Sequence, residues 1–234
     1  ALQKKCEIEV VAPLPWVPPF LGKKFSSQYP HANVPAKERI GDIVVHHPKY
    51  LVIPKILGFL HAIFLFFPLL KLIRKMDKHE KIDLINAHWV FPDGVAATWV
   101  GKILRKPVVL TALGCDINLY STMMLRRIQI SKALKMADCV TAVSSGLKDS
   151  IVAMGIPEKE VKVIPNGVDL NLFYVMEKME VKRKLGIPID RKIFLTVGSQ
   201  DEVKGTKYLI EAFSMVLEKI QPPALLICLG EGPL

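Results

Sequence analysis

The sequence predicts a doubly wound α/β protein, and two of its features carry this prediction. Half of the 234 residues are hydrophobic and the mean hydropathy is +0.29, so the chain can bury a sizeable core and is too apolar for a disordered protein. Beyond residue 80, short β-branched and apolar runs alternate with segments that are long enough for helices. That alternation is typical of parallel βαβ units.

The strands are predicted where turn residues bound the apolar runs, and the helices where apolar residues recur three or four positions apart. The predicted strands span residues 6–12, 82–88, 107–112, 139–143, 161–164, 193–197 and 224–229. The predicted helices span residues 94–104, 123–137, 144–154, 178–185 and 205–220. The acidic residue before the first of these helices, Asp93, is expected to cap it.

An apolar segment at residues 51–70 precedes this regular part of the chain. Pro54 and Pro68 flank its uninterrupted portion, and roughly 15 apolar helical residues reach only about 22 Å of the roughly 30 Å hydrocarbon thickness of a bilayer. A helix that is buried or lies on a surface is therefore favoured over a spanning helix. Several cations come after this segment. Their spacing fits either a helix face that meets anionic lipid or a solvated helix face. They are Lys71, Arg74, Lys75, Lys78 and Lys81.

A junction between two domains is predicted near residue 168, where a proline and an Asn-Gly pair oppose the continuation of a strand or a helix. The predicted domains are residues 1–168 and residues 169–234. The second holds only about two strands and two helices, far fewer than a usual domain, so it is expected to be incomplete. The predicted hinge residues are Asn166, Gly167 and Asp169.

The positive charge of the chain is concentrated in its first part. Lys and Arg number 32 against 22 Asp and Glu, a net charge of +10, and all of this excess lies in residues 1–165. Such a balance suits phosphorylated substrates, an anionic membrane surface or nucleic acid as partners. The basic residues are not interleaved with aromatic residues as in nucleic-acid-binding patterns, so no nucleic-acid partner is expected.

The four cysteines stand far apart and form no C-x-x-C pair. This spacing argues against a zinc knuckle or a disulfide scaffold and indicates a reducing compartment. The chain begins at Ala1 and runs straight into an apolar strand pattern, so no signal peptide is expected. Because the first residue is not Met, the start is expected to be truncated.

Two glycine-rich turns follow predicted strands in the second domain. Gly198 and Ser199 lead to Lys204 at the start of a helix, and Gly230 and Gly232 follow the last strand. Glycine lets a ligand approach the backbone, a helix N-terminus offers unpaired amides, and an ammonium group adds positive charge for a phosphate. Two such turns indicate a site for one nucleotide diphosphate, although the dinucleotide fingerprint is absent. The alternative is an ordinary βα turn with a solvated lysine.

Two polar residues stand at strand ends in the first domain. His88 ends the predicted strand 82–88, and Asp116 lies just beyond the end of the next strand. Open α/β sheets bind their ligands at the carboxyl ends of strands, so both are candidate catalytic residues. The alternatives are a histidine hydrogen-bonded in a core loop and an aspartate that only forms a turn or a cap.

The most specific stretch of the sequence runs from Ala137 to Phe173. It is followed by Val197-Gly198, Lys204-Gly205, Ile210-Glu211-Ala212-Phe213 and Gly230-Glu231-Gly232-Pro233. Together these segments resemble the retaining nucleotide-sugar glycosyltransferases of family GT4, which have the two-domain GT-B fold. His88 with Pro92-Asp93-Gly94 is similar to a bacterial and archaeal subgroup that builds cell-surface polysaccharide.

The resemblance implies two doubly wound Rossmann-like domains that face a cleft, the second one incomplete. It implies transfer of a sugar from a nucleotide diphosphate sugar to a lipid-linked or polysaccharide acceptor, with retention of configuration and without a metal or another cofactor. Lys204 matches the lysine with which the family neutralises the diphosphate, helped by amides near Gly198 and Gly232. His88 would then lie on the acceptor or donor-sugar side. A cytoplasmic enzyme is expected, with peripheral attachment to the inner face of the cell membrane.

Departures from the family pattern support an alternative to an active glycosyltransferase. Ser199 stands where the family often has arginine, and Leu113 stands where many relatives have histidine, although a leucine can neither donate a hydrogen bond nor protonate. The usual opening strand and the late acidic motif are not found between Ala1 and Leu234, so the fragment alone is expected to be inactive. The alternative hypothesis is a non-catalytic GT-B protein that serves as a partner or scaffold of an active glycosyltransferase.

Overall fold

The chain forms two compact units, residues 1–167 and residues 168–234. The computed structural model describes residues 5–18, 34–53, 57–217, 219, 221 and 223–233. Each unit has α/β structure with parallel strands, as the sequence predicts. The seven predicted strands are all present, and their ends differ from the prediction by no more than three residues. The roles predicted for the two domains stay predictions.

Five short strands form two small sheets at the start of the first unit. They are β1 (Glu9–Val11), β2 (Leu14–Trp16), β3 (Lys37–Ile40), β4 (Ile43–His46) and β5 (Lys49–Leu51). Strand β4 pairs in parallel with β1 and antiparallel with β3, while β2 pairs in parallel with β5. Only β1 was predicted, because strands of three or four residues are too short to show a clear alternation of apolar and polar residues.

Helix α1 spans His61–His79, so the predicted apolar helix at 51–70 was placed too early in the chain. Pro68 lies within the helix and does not end it. Buried side chains recur along one face, at Leu65, Leu69 and Ile73, and this packing outweighs the loss of one backbone hydrogen bond at the proline. Residues 54–56 of the predicted segment lie outside the described residues. Among the helices that the structure describes, none is long and apolar enough to cross a membrane.

A four-stranded parallel sheet forms the centre of the first unit. Its strands, in spatial order, are β6 (Ile85–His88), β7 (Val108–Ala112), β8 (Cys139–Ala142) and β9 (Val161–Val163). The register places Leu110 of β7 between Ala87 and Val140 on the neighbouring strands. All three residues are buried, so the sheet is anchored in the core and its strands end along one edge.

Four further α-helices lie in the described part of the first unit. They are α2 (Val95–Leu104), α3 (Cys115–Asn118), α4 (Met124–Met136) and α5 (Ser145–Val152). Phe91, Leu110 and Ile130 are among the largest side chains of the core that these helices share with the sheet. The prediction that Asp93 caps α2 is wrong, because Gly94 occupies the N-cap position and no side chain caps the helix there.

The second unit contains a two-stranded parallel sheet. Its elements are α6 (Lys178–Lys184), β10 (Lys192–Val197), α7 (Thr206–Leu217) and β11 (Ala224–Leu229). Strands β10 and β11 pair over their whole length, from Lys192 opposite Ala224 to Val197 opposite Leu229. Of the predicted hinge residues, Asn166 and Gly167 end the first unit and Asp169 lies near the start of the second, all three outside helices and strands.

Candidate functional site

Two loops of the second unit lie side by side because β10 and β11 run parallel and in register. The Gly198 amide donates to the Leu229 carbonyl at 3.0 Å, and the Gln200 amide donates to the Glu231 carbonyl at 3.0 Å. The Gln200 side chain adds a third bond, from Nε2 to the Gly230 carbonyl at 3.0 Å. The two glycine-rich turns therefore form one structure at the carboxyl end of the sheet.

This contact requires glycine at two positions. A Cβ atom on Gly230 would collide with the carbonyl oxygen of Gly198, and a Cβ atom on Gly232 would collide with the carbonyl oxygen of Gln200. Both obstacles are main-chain atoms, which cannot rotate away as the end of a side chain can. The loops touch backbone to backbone because Gly230 and Gly232 have no side chains.

A cavity of about 90 Å³ opens at this edge of the second unit. Gly198, Ser199 and Lys204 line it, which are three of the five residues that the sequence assigned to the donor diphosphate. Gly230 and Gly232 do not line the cavity. They allow the close contact between the two loops beside it. The remaining lining residues in the described part of the chain are Thr196, Val197, Gln200, Thr206, Cys228 and Leu229.

Asp201 organises the turn between the cavity and α7. The Ser199 hydroxyl donates to Oδ2 of Asp201 at 2.7 Å, and the Lys204 amide donates to Oδ1 at 3.0 Å. The Lys204 side chain is exposed and forms no ion pair with any carboxylate that the structure describes. Its ammonium group is therefore available to an anion in the cavity, close to the amides at the start of α7.

In the first unit, His88 ends β6 and is exposed. The next residue, Trp89, has a φ of 74°, a conformation that costs a bulky residue about 1–3 kcal/mol. Two hydrogen bonds hold it there. The Trp89 amide donates to the Thr111 carbonyl at 3.0 Å, and the Trp89 carbonyl accepts from the Gly94 amide at 3.0 Å. The chain therefore turns sharply after His88, which stays at the carboxyl edge of the sheet.

A kinked segment, Val90–Gly94, connects Trp89 to α2, and its backbone is extended at Phe91 (φ −128°, ψ 128°). Gly94 packs so closely that a Cβ atom on it would collide with the Leu110 side chain. Asp93 is half-buried, and the loss of solvation raises the pKa of its carboxyl group to about 6, against a smaller lowering by its own amide. No other group in the described ranges forms a hydrogen bond or ion pair with that carboxyl group. The loop after His88 thus holds an acid that titrates near neutral pH.

Asp116 lies in α3 and its side chain is fully buried, with 0% of the residue exposed. Its Oδ2 accepts from the Val90 amide at 2.8 Å, and its Oδ1 accepts from the Gly114 amide at 2.7 Å. The Leu113 amide lies 3.2 Å from both oxygens. The carboxylate is enclosed by these amides, and no oxygen is exposed to meet a substrate. The alternative that the sequence left open, an aspartate that holds a turn, describes this geometry.

Aromatic rings and one cation join α4 to the loop after His88. Tyr120 packs edge to face against Trp89 and Phe91, with ring centroids 6.2 Å and 6.0 Å apart. The guanidinium carbon of Arg126 lies 4.8 Å from the Tyr120 centroid and 5.2 Å from the Phe91 centroid. Sequence reasoning missed this arginine–aromatic cluster of Trp89, Phe91, Tyr120 and Arg126, because nothing in the spacing of these residues indicates that they meet.

No group of three His, Cys, Asp or Glu side chains that could hold a metal ion occurs among the residues that the structure describes. The candidate residues instead form one edge with glycine-rich loops and an exposed lysine in the second unit and one polar and aromatic edge in the first. Each edge lies at the carboxyl ends of parallel strands, where α/β sheets bind their ligands.

Curated relatives of the chain are glycosyltransferases. Over 167 residues it is 32% identical to TuaC of Bacillus subtilis (strain 168), a glycosyltransferase assigned to teichuronic acid biosynthesis, which covers 70% of this chain and 41% of TuaC. Over 161 residues it is 24% identical to the N-acetyl-alpha-D-glucosaminyl L-malate synthase of Bacillus anthracis, which covers 68% of this chain and 42% of the synthase. The match thus spans about two fifths of the length of each relative.

Solved structures show the same fold. Anabaena HepE in complex with UDP matches with a TM-score of 0.59 and 20% identity, over 80% of this chain and 48% of HepE. The lipopolysaccharide outer core galactosyltransferase WaaB matches with a TM-score of 0.50 and 16% identity, over 97% of this chain and 62% of WaaB. The fold is thus of the GT-B type, built from Rossmann-like α/β domains. The model of Glycosyltransferase Family 4 matches residues 2–172, well over half of the chain, and the chain therefore belongs to glycosyltransferase family 4.

Proposed function

We propose that this protein transfers a sugar from a nucleotide diphosphate sugar to an acceptor hydroxyl, with retention of the anomeric configuration. The observation that carries the proposal is the Lys204 side chain, which pairs with no described carboxylate and lines a cavity together with Gly198 and Ser199. A departing nucleotide diphosphate gains negative charge, and a cation at the start of a helix stabilises that charge. Family membership supports this chemistry, and the UDP bound in the HepE structure makes UDP the first ligand to test.

In this proposal the second unit binds the diphosphate, and His88 of the first unit contacts the donor sugar or the acceptor. The exposed position of His88 at the end of β6 supports that role. Asp116 takes a positioning role, because its buried carboxylate holds the loops around His88 rather than reaching solvent. The proposal needs no metal, since Lys204 supplies the positive charge.

Calorimetric titration of the full-length gene product with UDP, GDP and ADP tests the donor site. Loss of a hydrogen bond to a charged group costs about 1.5–3 kcal/mol, so Lys204→Ala is expected to weaken binding of the preferred nucleotide roughly 10- to 100-fold. Lys207→Ala is the matched control, since Lys207 is exposed on α7 and does not line the cavity. Equal affinities for the two variants would contradict the proposed role of Lys204.

The acceptor is proposed to be lipid-linked or polysaccharide, and the protein to attach peripherally to the inner face of the cell membrane. One exposed face of α1 supports this attachment. Its first half presents apolar side chains and its second half presents cations, as an interfacial helix requires. We call it the basic face of α1, and it consists of Ile63, Phe67, Lys71, Arg74, Lys75 and Lys78.

A second candidate function is a non-catalytic partner or scaffold of an active glycosyltransferase. Ser199 favours it, because this residue stands where the family often has arginine and its hydroxyl is bound to Asp201 rather than free to meet a phosphate. One of two expected cations is therefore missing from the donor site. Sugar transfer by the full-length protein, measured with radiolabelled donor, would eliminate this candidate, whereas nucleotide binding without transfer would favour it.

A further inference from the structure

Arg126 is a cation without an anionic partner in the first unit. It forms no ion pair and no hydrogen bond with any residue in the described ranges, and it lies beside the Phe91 and Tyr120 rings and Gly58. The undescribed segments of this unit, 1–4, 19–33 and 54–56, contain no Asp or Glu. The unit therefore supplies no carboxylate for this guanidinium group. A half-buried charge of this kind is costly unless something pairs with it.

The guanidinium group is held in place from two sides. The rings of Tyr120 and Phe91 lie 4.8 Å and 5.2 Å from its central carbon. On another side it contacts Gly58, where a Cβ atom would collide with the guanidinium nitrogen. The two rings are nearly perpendicular, at 85°, so the guanidinium plane can lie parallel to at most one of them, and N–H groups that point away from the rings and from Gly58 can still donate. The group thus keeps donor capacity for which the described residues supply no acceptor.

Two buried polar atoms near Arg126, His61 Nε2 and Gln129 Oε1, have no hydrogen-bond partner among the residues that the structure describes. Burial lowers the pKa of His61, and the positive charge of Arg126 lowers it further, so the imidazole is neutral at neutral pH. Gln129 lies one turn after Arg126 on α4 and uses its Nε2 to donate to the Phe59 carbonyl at 2.9 Å. Buried polar atoms in folded proteins almost always have partners. Two buried polar atoms with unused hydrogen-bonding capacity among the described residues therefore lie near the Arg126 guanidinium group.

Exposed aliphatic side chains lie in the segment that leads to Arg126. Exposed apolar residues that follow one another in this way mark a surface that binds apolar material. A cation beside them suits a ligand with an anionic head and a hydrocarbon chain. The exposed residues and their exposed fractions are Leu119 (53%), Met123 (48%), Met124 (76%) and Leu125 (51%).

We propose that Arg126 binds the phosphate of a lipid-linked acceptor, while these aliphatic side chains contact its hydrocarbon chain. The inference rests on the proposed function and names the acceptor class for the first unit. Phe91 and Tyr120 connect Arg126 to the loop that follows His88, so the bound phosphate lies at the same edge of the sheet as His88. Arg126 is then a specificity-determining residue for an anionic acceptor.

Binding of farnesyl phosphate to the full-length protein in neutral detergent micelles tests the proposal, with farnesol and inorganic phosphate as comparison ligands. Arg126→Gln removes the charge at similar size, and Arg126→Lys keeps the charge without the planar fork. Arg127→Gln is the matched control, because Arg127 is exposed on the same helix. Far-UV circular dichroism and the thermal unfolding midpoint show whether each variant is folded.

We expect Arg126→Gln to weaken farnesyl phosphate binding at least tenfold, Arg126→Lys to weaken it less, and Arg127→Gln to leave it unchanged. Farnesol is expected to bind far more weakly than farnesyl phosphate. Equal affinity for farnesyl phosphate in the wild type and Arg126→Gln overturns the proposal, and so does equal weakening by Arg127→Gln. If inorganic phosphate binds as tightly as farnesyl phosphate, the lipid part of the proposal is wrong.

UDP titration of the same samples separates this proposal from the proposed donor site. Arg126→Gln is expected to leave UDP affinity unchanged, because the donor cavity lies in the second unit. UDP binding with no effect of Arg126 on farnesyl phosphate would overturn only the acceptor inference. An Arg126-dependent affinity for farnesyl phosphate in a protein that binds no nucleotide would overturn only the donor site.

Discussion

The Asp116 carboxylate accepts a 2.8 Å hydrogen bond from the Val90 amide, which lies 26 residues earlier in the chain. This bond ties the loop after β6 to the loop after β7, and it fixes the point at which the chain leaves His88. Asp116 therefore acts on the candidate site by holding its backbone. Replacement of a side chain with this role changes stability and loop geometry directly, and it changes a chemical step only through that geometry.

Replacement of Asp116 is expected to destabilise the protein. Asp116→Ala leaves three amides without their acceptor, those of Val90, Leu113 and Gly114, and an unsatisfied buried group costs about 1–3 kcal/mol. We expect the free energy of unfolding to fall by about 3 kcal/mol or more in urea titrations. Asp149→Ala at an exposed site is the control. Equal stability of the two variants would show that Asp116 does not hold the loops.

The pKa of Asp93 predicts a specific dependence of stability on pH. The folded pKa of about 6 lies above the ordinary value of 3.8, so between these values the folded protein keeps a proton that the unfolded chain has released. The free energy of unfolding should therefore fall as pH rises from 4 to 6, by up to about 3 kcal/mol. Asp93→Asn should remove this fall, so its stability relative to the wild type rises over that range.

Urea unfolding at pH 4, 5, 6 and 7 measures this effect. Asp83→Asn serves as the control, because Asp83 is exposed. The same pH slope in the wild type and Asp93→Asn would mean that Asp93 titrates in the folded protein as it does in the unfolded chain.

Replacement of Gly230 is expected to change the shape of the proposed donor cavity, although Gly230 itself does not line that cavity. In Gly230→Ala the new Cβ atom collides with the Gly198 carbonyl oxygen, so the two loops must separate. Overpacking of this kind costs about 1–3 kcal/mol, and we expect UDP affinity to fall roughly tenfold or more. Glu231→Ala is the matched control, since it leaves the main chain of the same loop in place. Unchanged UDP affinity in Gly230→Ala would argue that the cavity does not bind the diphosphate.

Charge reversal on the basic face of α1 is expected to weaken membrane binding. A basic residue near an anionic bilayer contributes about 1 kcal/mol, so Lys71→Glu with Arg74→Glu should lower affinity for phosphatidylserine vesicles more than tenfold. Lys102→Glu with Lys135→Glu changes the net charge equally at exposed sites on other helices and should have a smaller effect. Co-sedimentation at low and high salt measures both. Equal losses in the two double variants would point to net charge rather than to this face.

Regular patterns in the sequence predicted seven of the strands well, because turn residues bound their apolar runs. The prediction was wrong where a pattern was interrupted. The apolar helix was predicted within residues 51–70, yet α1 spans His61–His79 because its buried face packs across Pro68. Asp93 was expected to cap α2, yet Gly94 occupies the N-cap position and the half-buried Asp93 carboxyl group does not cap the helix.

The sequence by itself determined the family, seven of the strands, the positions of His88 and Gly198 at strand ends, and the position of Lys204 before the following helix. These follow from local patterns, since parallel strands bring their carboxyl ends to one edge of a sheet. Tertiary structure alone decided that Asp116 is enclosed by amides and that Arg126 lies against the Phe91 and Tyr120 rings with no acidic partner among the described residues. Those facts depend on contacts between residues far apart in the chain, which no local spacing records.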